Sequence, residues 1–203
     1  MNHELNPYVY DKYKGFLTWF GDLYFATKPP LCSAKQIEEM LEVIQPADVV
    51  CRGYNYYLDG HFIPGDYSHS GIVVNKREMI HSIAEGVGSV HPIDFVKDVD
   101  RFIVLRAKYS PDLLLSRQME IVDRAIWHAD CNNTEYDFMF SEDGKYYCHE
   151  FTADCLACGE IIISKTVKKF GVWPFAFERE LYLAQNLIDR LLVVYEFNPR
   201  KSS

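Results

Sequence analysis

Long apolar runs and positive charge are both scarce in this sequence of 203 residues. No stretch approaches the ~18 uninterrupted apolar residues that a membrane-spanning helix requires. Lysine and arginine number 21 against 29 aspartates and glutamates, so the net charge is -8 and the pI is near 5.3. This balance disfavours non-specific binding to nucleic acid or to anionic membrane surfaces. We therefore expect no nucleic-acid partner and no integral membrane segment.

Three widespread catalytic motifs are also missing. The sequence has no glycine-rich phosphate loop, no Gly-x-Ser-x-Gly elbow and no metalloprotease helix motif, which disfavours nucleotide chemistry. Residues 1–27 contain apolar positions, but Asp11, Lys12, Lys14 and Asp22 interrupt them before a signal-peptide core develops. We therefore expect a cytoplasmic protein whose six cysteines remain thiols.

Length and composition indicate a single domain. Hydrophobic residues make up 48% of the chain and charged residues 25%, as in ordinary soluble globular proteins. A chain of this length suits one well-formed core better than two. Within the domain we expect an N-terminal extension (1–32), a core (33–164) and a C-terminal helix and strand (165–203).

The hydrophobic periodicity predicts an α+β fold with its strands clustered in the middle of the chain. A capping box at Ser33 precedes a helix that Pro46 ends. Further helices are predicted for 111–129, 152–164 and 177–187, and strands for 47–51, 69–74, 79–83, 101–106 and 191–197. The two runs 69–74 and 79–83 form a predicted hairpin around a polar turn.

Cys148 stands where a short aromatic strand, residues 145–147, is predicted to run into a helix. A thiol at a helix N-terminus meets unpaired backbone amides and the positive end of the macrodipole, and both favour the thiolate. Cys148 is therefore a candidate nucleophile. The alternative is that it is one more buried and inert cysteine.

Two histidines supply what a cysteine nucleophile requires. His69 opens one strand of the predicted hairpin and His81 lies near the end of the other, so their side chains are expected side by side on one face. A nucleophilic thiol needs a base, and that base needs a third group to fix its orientation and tautomer. Cys148, His69 and His81 form a candidate triad, provided that the hairpin meets the N-terminus of the Cys148 helix.

Two segments resemble a known superfamily. Residues 67–74 (Tyr-Ser-His-Ser-Gly-Ile-Val-Val) look like the histidine strand of the permuted papain-like hydrolases, the NlpC-type superfamily in its YiiX-like and lecithin retinol acyltransferase-like branches. Residues 147–151 (Tyr-Cys-His-Glu-Phe) look like the cysteine motif of those branches. The similarity covers about 47–164. It implies a circularly permuted papain-like fold, with a central antiparallel sheet or partial barrel packed against helices.

The same resemblance implies a thiol hydrolase or an acyltransferase that needs no cofactor. Cys148 is expected to form an acyl-enzyme, His69 to transfer protons and His81 to orient His69. The YiiX-like branch usually has glutamate at the position of His81, whereas the acyltransferase branch has histidine. The substrate therefore stays open between a small peptide or acyl-amino acid amide and an acyl lipid. A third alternative is a catalytically silent module that binds a peptide or lipid while its thiol is shielded.

Several residues near the motifs have two interpretations each. The candidate substrate-binding residues are Asp66, Tyr67, Tyr147 and Arg52. Asp66 and Tyr67 either line a cleft or form a turn, and Arg52 either binds a substrate carboxylate or is solvated.

A metal site is disfavoured by the spacing of the cysteines. Cys155 and Cys158 fall within one predicted helix, where tetrahedral zinc geometry is poor, so we expect no metal and place both in the core. His149 is expected to face away from Cys148, because successive helical positions do not share a face.

Overall fold

The structure is a computed structural model that describes residues 29–55, 65–130, 134–137, 140, 144–170 and 177–201. Its strands are β1 (Val49–Gly53), β2 (His69–Asn75), β3 (Glu78–Ile83), β4 (Gly86–Val90), β5 (Arg101–Arg106), β6 (Thr166–Phe170), β7 (Phe177–Leu181) and β8 (Leu192–Phe197). Its α-helices are α1 (Ala34–Val43), α2 (Pro92–Val96), α3 (Pro111–Asp130), α4 (Cys148–Cys158) and α5 (Ala184–Arg190). A 3-10 turn, Pro199–Lys201, follows β8.

Six of the strands form one sheet in the order β4-β3-β2-β1-β5-β8, and every neighbouring pair is antiparallel. β6 and β7 form a separate antiparallel pair. The predicted α+β class with a central antiparallel sheet is thus confirmed. Within the described residues the sheet is open, with β4 and β8 at its two edges, and does not close into a barrel.

Both faces of the sheet are buried, which explains the nearly continuous apolar character of its central strands. The residues that face α3 and α4 include Val49, Cys51, Ile72, Ile103 and Leu105. Alternate residues face α1 and α2, and they include Val50, Val73, Phe102 and Val104. The sheet therefore separates two apolar cores.

A buried ion pair joins the start of β1 to the end of β5. Arg106 donates through Nε and Nη2 to the two carboxylate oxygens of Asp48, both at 2.7 Å, and Nη2 also donates to the carbonyl of Val43 at the end of α1. Asp48 is fully buried. Burial raises the pKa of Asp48, although the hydrogen bonds from Arg106 and from the amide of Gln45 oppose that rise.

Most predicted elements are present, including the capped helix α1 and the hairpin of β2 and β3. Two predicted helices are wrong in extent. Residues 177–181 form strand β7 because they pair with β6, and the helix begins only at Ala184. The helix predicted for 152–164 begins earlier, at Cys148, and ends at Cys158, after which Gly159 and the positive φ of Glu160 turn the chain.

β4 and β6 were not predicted. The glycines of β4 read as a break in the sequence, but its pairing with β3 overrides that signal. Most of the expected N-terminal extension, residues 1–28, lies outside the described residues. In the described part of the chain no helix is both long and apolar enough to cross a membrane.

Candidate active site

Cys148 is the first residue of α4, and its side chain is fully buried. Its sulfur lies 3.7 Å from the carbonyl oxygen of Ser68, the residue immediately before His69. The first turn of a helix presents backbone N–H groups without intrahelical partners. The start of α4 therefore brings a thiol and a set of backbone donors against the start of β2.

His69 and His81 form a hydrogen-bonded pair on the face of the sheet covered by α1 and α2. Their Nε2 and Nδ1 atoms are 2.9 Å apart, and their rings meet edge to face with centroids 5.1 Å apart. The pairing of Gly71 with His81 brings the two histidines diagonally opposite each other. The ring of Phe95 in α2 packs against both, with centroids 5.5 Å away. The contact predicted from the hairpin is thus present.

Both histidines are electrically neutral near pH 7. Burial holds the pKa of His69 well below its ordinary value, and the charge of Arg52 lowers it further. Burial and the charge of Arg52 lower the pKa of His81 to about 3. A neutral imidazole carries one donor and one acceptor nitrogen, so the pair contains one N–H···N hydrogen bond. His69 therefore has its Nδ1 left for a second partner.

Arg52 lies directly across from His69 in the register of β1 and β2. Its Nη1 donates to the carbonyl of Phe95 at 2.7 Å, and its guanidinium carbon lies 4.4 Å from the centre of the Phe95 ring. Nε is buried and makes no hydrogen bond, and no carboxylate of the described residues forms an ion pair with Arg52. The site thus holds a positive charge without a counter-ion among those residues.

A cluster of buried polar groups fastens the start of α4 to β2. Ser70 Oγ lies 2.8 Å from both His149 Nδ1 and Thr152 Oγ1, and 3.2 Å from the carbonyl oxygen of Cys148. Sequence reasoning missed this cluster, since it considered only whether His149 faces Cys148. A polar residue at the helix-facing position of β2, between apolar neighbours, is the signal that could have revealed it.

Cys148 also belongs to an apolar and aromatic cluster. The buried members of this group are Tyr147, Leu181 and Leu183, with Tyr136, Phe140 and Tyr182 packed against them. The segment from β7 to α5 supplies three of the six side chains. The nucleophile candidate therefore packs in an apolar cluster.

The other predicted binding residues differ in burial and in hydrogen-bond partners. Asp66 is exposed, and its carboxylate lies 3.6 Å from Arg200. Tyr67 is buried and donates to Glu196 at 2.6 Å. Tyr147 is buried beside Cys148, and its hydroxyl donates to the carbonyl of Tyr182 at 3.2 Å.

No group of three or more His, Cys, Asp or Glu side chains in the described residues is arranged to hold a metal ion. None of the five cysteines in that part of the chain forms a disulfide, and Cys131 lies outside it. Cys155 is buried as expected, but the expectation that Cys158 packs in the core is wrong. Cys158 is exposed at the end of α4.

Residues 43–187 match the sequence profile of the permuted papain-like amidase enzymes, the YaeF/YiiX or C92 family. The chain belongs to this family. The match includes the β2–β3 hairpin, α4 and most of α5, and it confirms the resemblance to permuted papain-like hydrolases. At the level of the family the protein is a papain-like cysteine hydrolase of the amidase class. No curated protein and no solved structure gives a significant match to the chain.

Proposed function

We propose that this amidase-family protein acts through a Cys148 nucleophile, with His69 as acid and base and His81 as the residue that orients His69. The observation that carries the proposal is the 2.9 Å hydrogen bond between His69, at the start of β2, and His81 in β3. The Cys148 sulfur contacts the carbonyl of Ser68, the residue before His69. A thiol at a helix N-terminus and a histidine oriented by a second polar group are the parts that nucleophilic catalysis requires, and the proposal joins them.

The reaction begins with transfer of the thiol proton to Nδ1 of neutral His69 as the Cys148 sulfur attacks the amide carbon. Backbone N–H groups in the first turn of α4 donate hydrogen bonds to the oxyanion. The C–N bond then breaks, and His69 returns the proton to the leaving amine, which leaves a thioester on Cys148. Water attacks the thioester while His69 accepts its proton, the C–S bond breaks and the thiol is regenerated. An acyltransferase would differ only in using another acceptor in place of water.

His81 fixes the tautomer that this mechanism uses. Nδ1 of His69 can accept the thiol proton only if the ring proton resides on Nε2. Nε2–H then donates to Nδ1 of His81, across the 2.9 Å contact. The role of His81 is therefore to accept a hydrogen bond while remaining neutral.

For the substrate we propose an amide with an apolar acyl group and a carboxylate on the amine side. The apolar cluster of Tyr147, Leu181 and Leu183 favours an apolar acyl chain beside Cys148. Arg52, with no carboxylate partner in the described residues, is suited to a substrate carboxylate beside His69. Both features together fit N-acyl amino acids. Asp66, Tyr67 and Tyr147 remain predicted binding residues.

A second candidate function is the silent binding module. It is favoured by one observation, the complete burial of the Cys148 side chain. For turnover, a carbonyl group must reach this buried sulfur. A module that only binds an apolar ligand needs no such access to the sulfur.

Trapping an acyl-enzyme tests the catalytic proposal. We expect wild-type protein to release a burst of p-nitrophenolate from p-nitrophenyl octanoate and to carry the octanoyl group on Cys148, located by mass spectrometry. Cys148→Ala should abolish the burst, whereas Cys155→Ala, a change to another buried thiol of the same helix, should retain it. A wild-type protein without an acyl adduct would favour the binding module, and a burst that survives in Cys148→Ala would exclude Cys148 as nucleophile.

A matched set of amides tests the substrate. We expect N-octanoylglycine to be hydrolysed faster than both N-acetylglycine and N-octanoylglycine amide. Arg52→Gln should remove the preference for the free carboxylate, whereas Arg77→Gln, in the exposed turn between β2 and β3, should leave it unchanged. A carboxylate preference that persists in Arg52→Gln would contradict the role of Arg52.

A further inference from the structure

The cluster of Ser70, His149 and Thr152 acts directly on the backbone of the nucleophile. Thr152 Oγ1 donates to the carbonyl oxygen of Cys148 at 2.9 Å, and Ser70 Oγ lies 3.2 Å from the same oxygen. His149 Nδ1 completes the cluster at 2.8 Å from Ser70 Oγ. All three side chains are fully buried. A buried polar group is costly unless it is hydrogen-bonded, so these contacts restrict the first turn of α4 to one position on β2.

The cluster is adjacent in sequence to both reacting groups of the proposed mechanism. Ser70 follows His69 on β2, and His149 follows Cys148 on α4. Thr152 is one turn further along α4, on the side that meets Ser70. A displacement of the first turn of α4 along β2 would therefore move the Cys148 thiol relative to the His69 imidazole.

His149 contributes a hydrogen bond and no charge. Burial lowers its pKa to about 4, so its imidazole is neutral at physiological pH. Its Nδ1 is committed to Ser70. Its contribution to the reaction is therefore geometric.

We propose that Ser70, His149 and Thr152 are positioning residues that set the distance between the Cys148 thiol and the His69 imidazole. This inference rests on the proposed function, because it concerns the geometry of the same nucleophile and base. In this proposal, His149 holds the first turn of α4, which carries Cys148, in place. Ser70 and Thr152 act through the backbone carbonyl of Cys148, and His149 acts through Ser70.

A second buried histidine provides a matched control. His128 in α3 is also fully buried, and its Nε2 lies 2.9 Å from the carboxylate of Asp154 while its Nδ1 lies 2.9 Å from Thr134 Oγ1. It binds the middle of α4 to α3, on the side away from β2. Loss of either histidine removes a buried polar anchor of α4, but only His149 borders the nucleophile.

The experiment compares His149→Leu, His128→Leu and His149→Asn with the wild type. Asn keeps a polar group close to the position of histidine Nδ1. For each protein the acylation rate constant is taken from the p-nitrophenolate burst at saturating ester, as a function of pH, and the urea midpoint reports stability.

We expect His149→Leu to lower the acylation rate about 100-fold with little change in ester affinity, as a misplaced reacting group does. Its rate should rise about tenfold for each pH unit up to the thiol pKa, since Cys148 then reacts only after ionising without help. The wild-type rate should be nearly constant between pH 6 and 8, because neutral His69 accepts the proton. His149→Asn should restore much of the rate and the flat profile, and His128→Leu should match the wild type in both despite a lower urea midpoint.

Each other result overturns the inference. A flat, fast profile in His149→Leu would show that the cluster does not position the thiol, while the wild-type burst would leave the catalytic proposal intact. An equal loss in His128→Leu would show that general weakening of α4 is the cause. A wild type without a burst would overturn the proposed function and this inference together.

Discussion

His69 Nε2 and His81 Nδ1 lie 2.9 Å apart, and burial together with Arg52 holds the pKa of both rings below the ordinary value. The pair is therefore an uncharged hydrogen bond and differs from the histidine–carboxylate pair of many hydrolases. A neutral acceptor orients His69 but provides little stabilisation for an imidazolium. In the proposed mechanism, His69 is consequently a base that stays available at acidic pH.

Replacement of His81 tests this orienting role. We expect His81→Leu to lower the acylation rate about 100-fold, because His69 loses the acceptor that selects its tautomer. His81→Asn should lose much less, since its side-chain oxygen can accept from His69 Nε2–H. The measurement is the burst rate with p-nitrophenyl octanoate, with unfolding midpoints to confirm that both variants fold. Equal activity of the Leu variant and the wild type would contradict the assignment.

Acid sensitivity of folding provides a test of the neutral histidines. The pKa of His149 is about 4 in the folded protein and near 6.5 when unfolded, so the unfolded chain binds more protons between these values. Its contribution to stability is complete above pH 6.5 and is lost as the pH falls towards 4. The shift corresponds to roughly 3 kcal/mol.

We therefore expect the urea-derived free energy of unfolding to fall less between pH 7 and pH 4.5 in His149→Asn than in the wild type. Asparagine does not titrate in this range, and the other acidic groups are common to both proteins. An identical fall in the two proteins would show that His149 is protonated without cost in the folded state.

Sequence periodicity was sufficient for the parts of the fold that depend on local pattern. The capping box at Ser33, the hairpin of β2 and β3 and the amphipathic helix α3 all follow from residues close in sequence. The contact between His69 and His81 follows from the same hairpin. Family motifs around His69 and Cys148 then supplied the fold, because short motifs identify a family where general patterns do not.

The rest depends on contacts between distant segments. β4 is rich in glycine and is a strand only because β3 pairs with it, and residues 177–181 are extended only because β6 lies alongside. The link from Ser70 to His149 spans 79 residues, and Leu181, which packs in one cluster with Cys148, follows it by 33 residues. No periodicity in either segment specifies such a partner.

The ion pair of Arg106 and Asp48 permits a stability prediction. Arg106→Leu leaves the carboxylate of Asp48 buried without its main partner. We expect the free energy of unfolding to fall by about 3–5 kcal/mol, as when one partner of a buried ion pair is removed. The loss should be smaller at pH 5 than at pH 7, because the pKa of Asp48, already raised by burial, rises further and protonation removes the charge. Urea unfolding at the two pH values measures this.

Arg117→Leu is the control, since Arg117 pairs with Glu120 and Glu160 at the surface. It should change stability little at either pH. A loss in Arg106→Leu that is no larger than in this control would contradict the proposed importance of the buried pair.

For thiols outside the proposed active site, accessibility can be predicted from burial. Cys158 is exposed, so N-ethylmaleimide should modify it readily in the folded protein, whereas Cys51 and Cys155 are buried and should react only on unfolding. Burial also raises the pKa of Cys51 and Cys155, which slows them further. Peptide mapping after brief labelling measures all three, and early labelling of Cys155 would contradict the packing of α4.

The most direct test of the account is the pH dependence of Cys148 alkylation by iodoacetamide, with each site quantified by mass spectrometry in wild type and His69→Ala. We predict that wild-type Cys148 reacts at a nearly constant rate from pH 6 to 8, because His69 accepts its proton. In His69→Ala the rate should fall about tenfold for each pH unit below the thiol pKa, as for the exposed Cys158. If wild-type Cys148 follows the same pH dependence as Cys158, or if His69→Ala changes nothing, the thiol and the imidazole do not act together and the proposed mechanism is wrong.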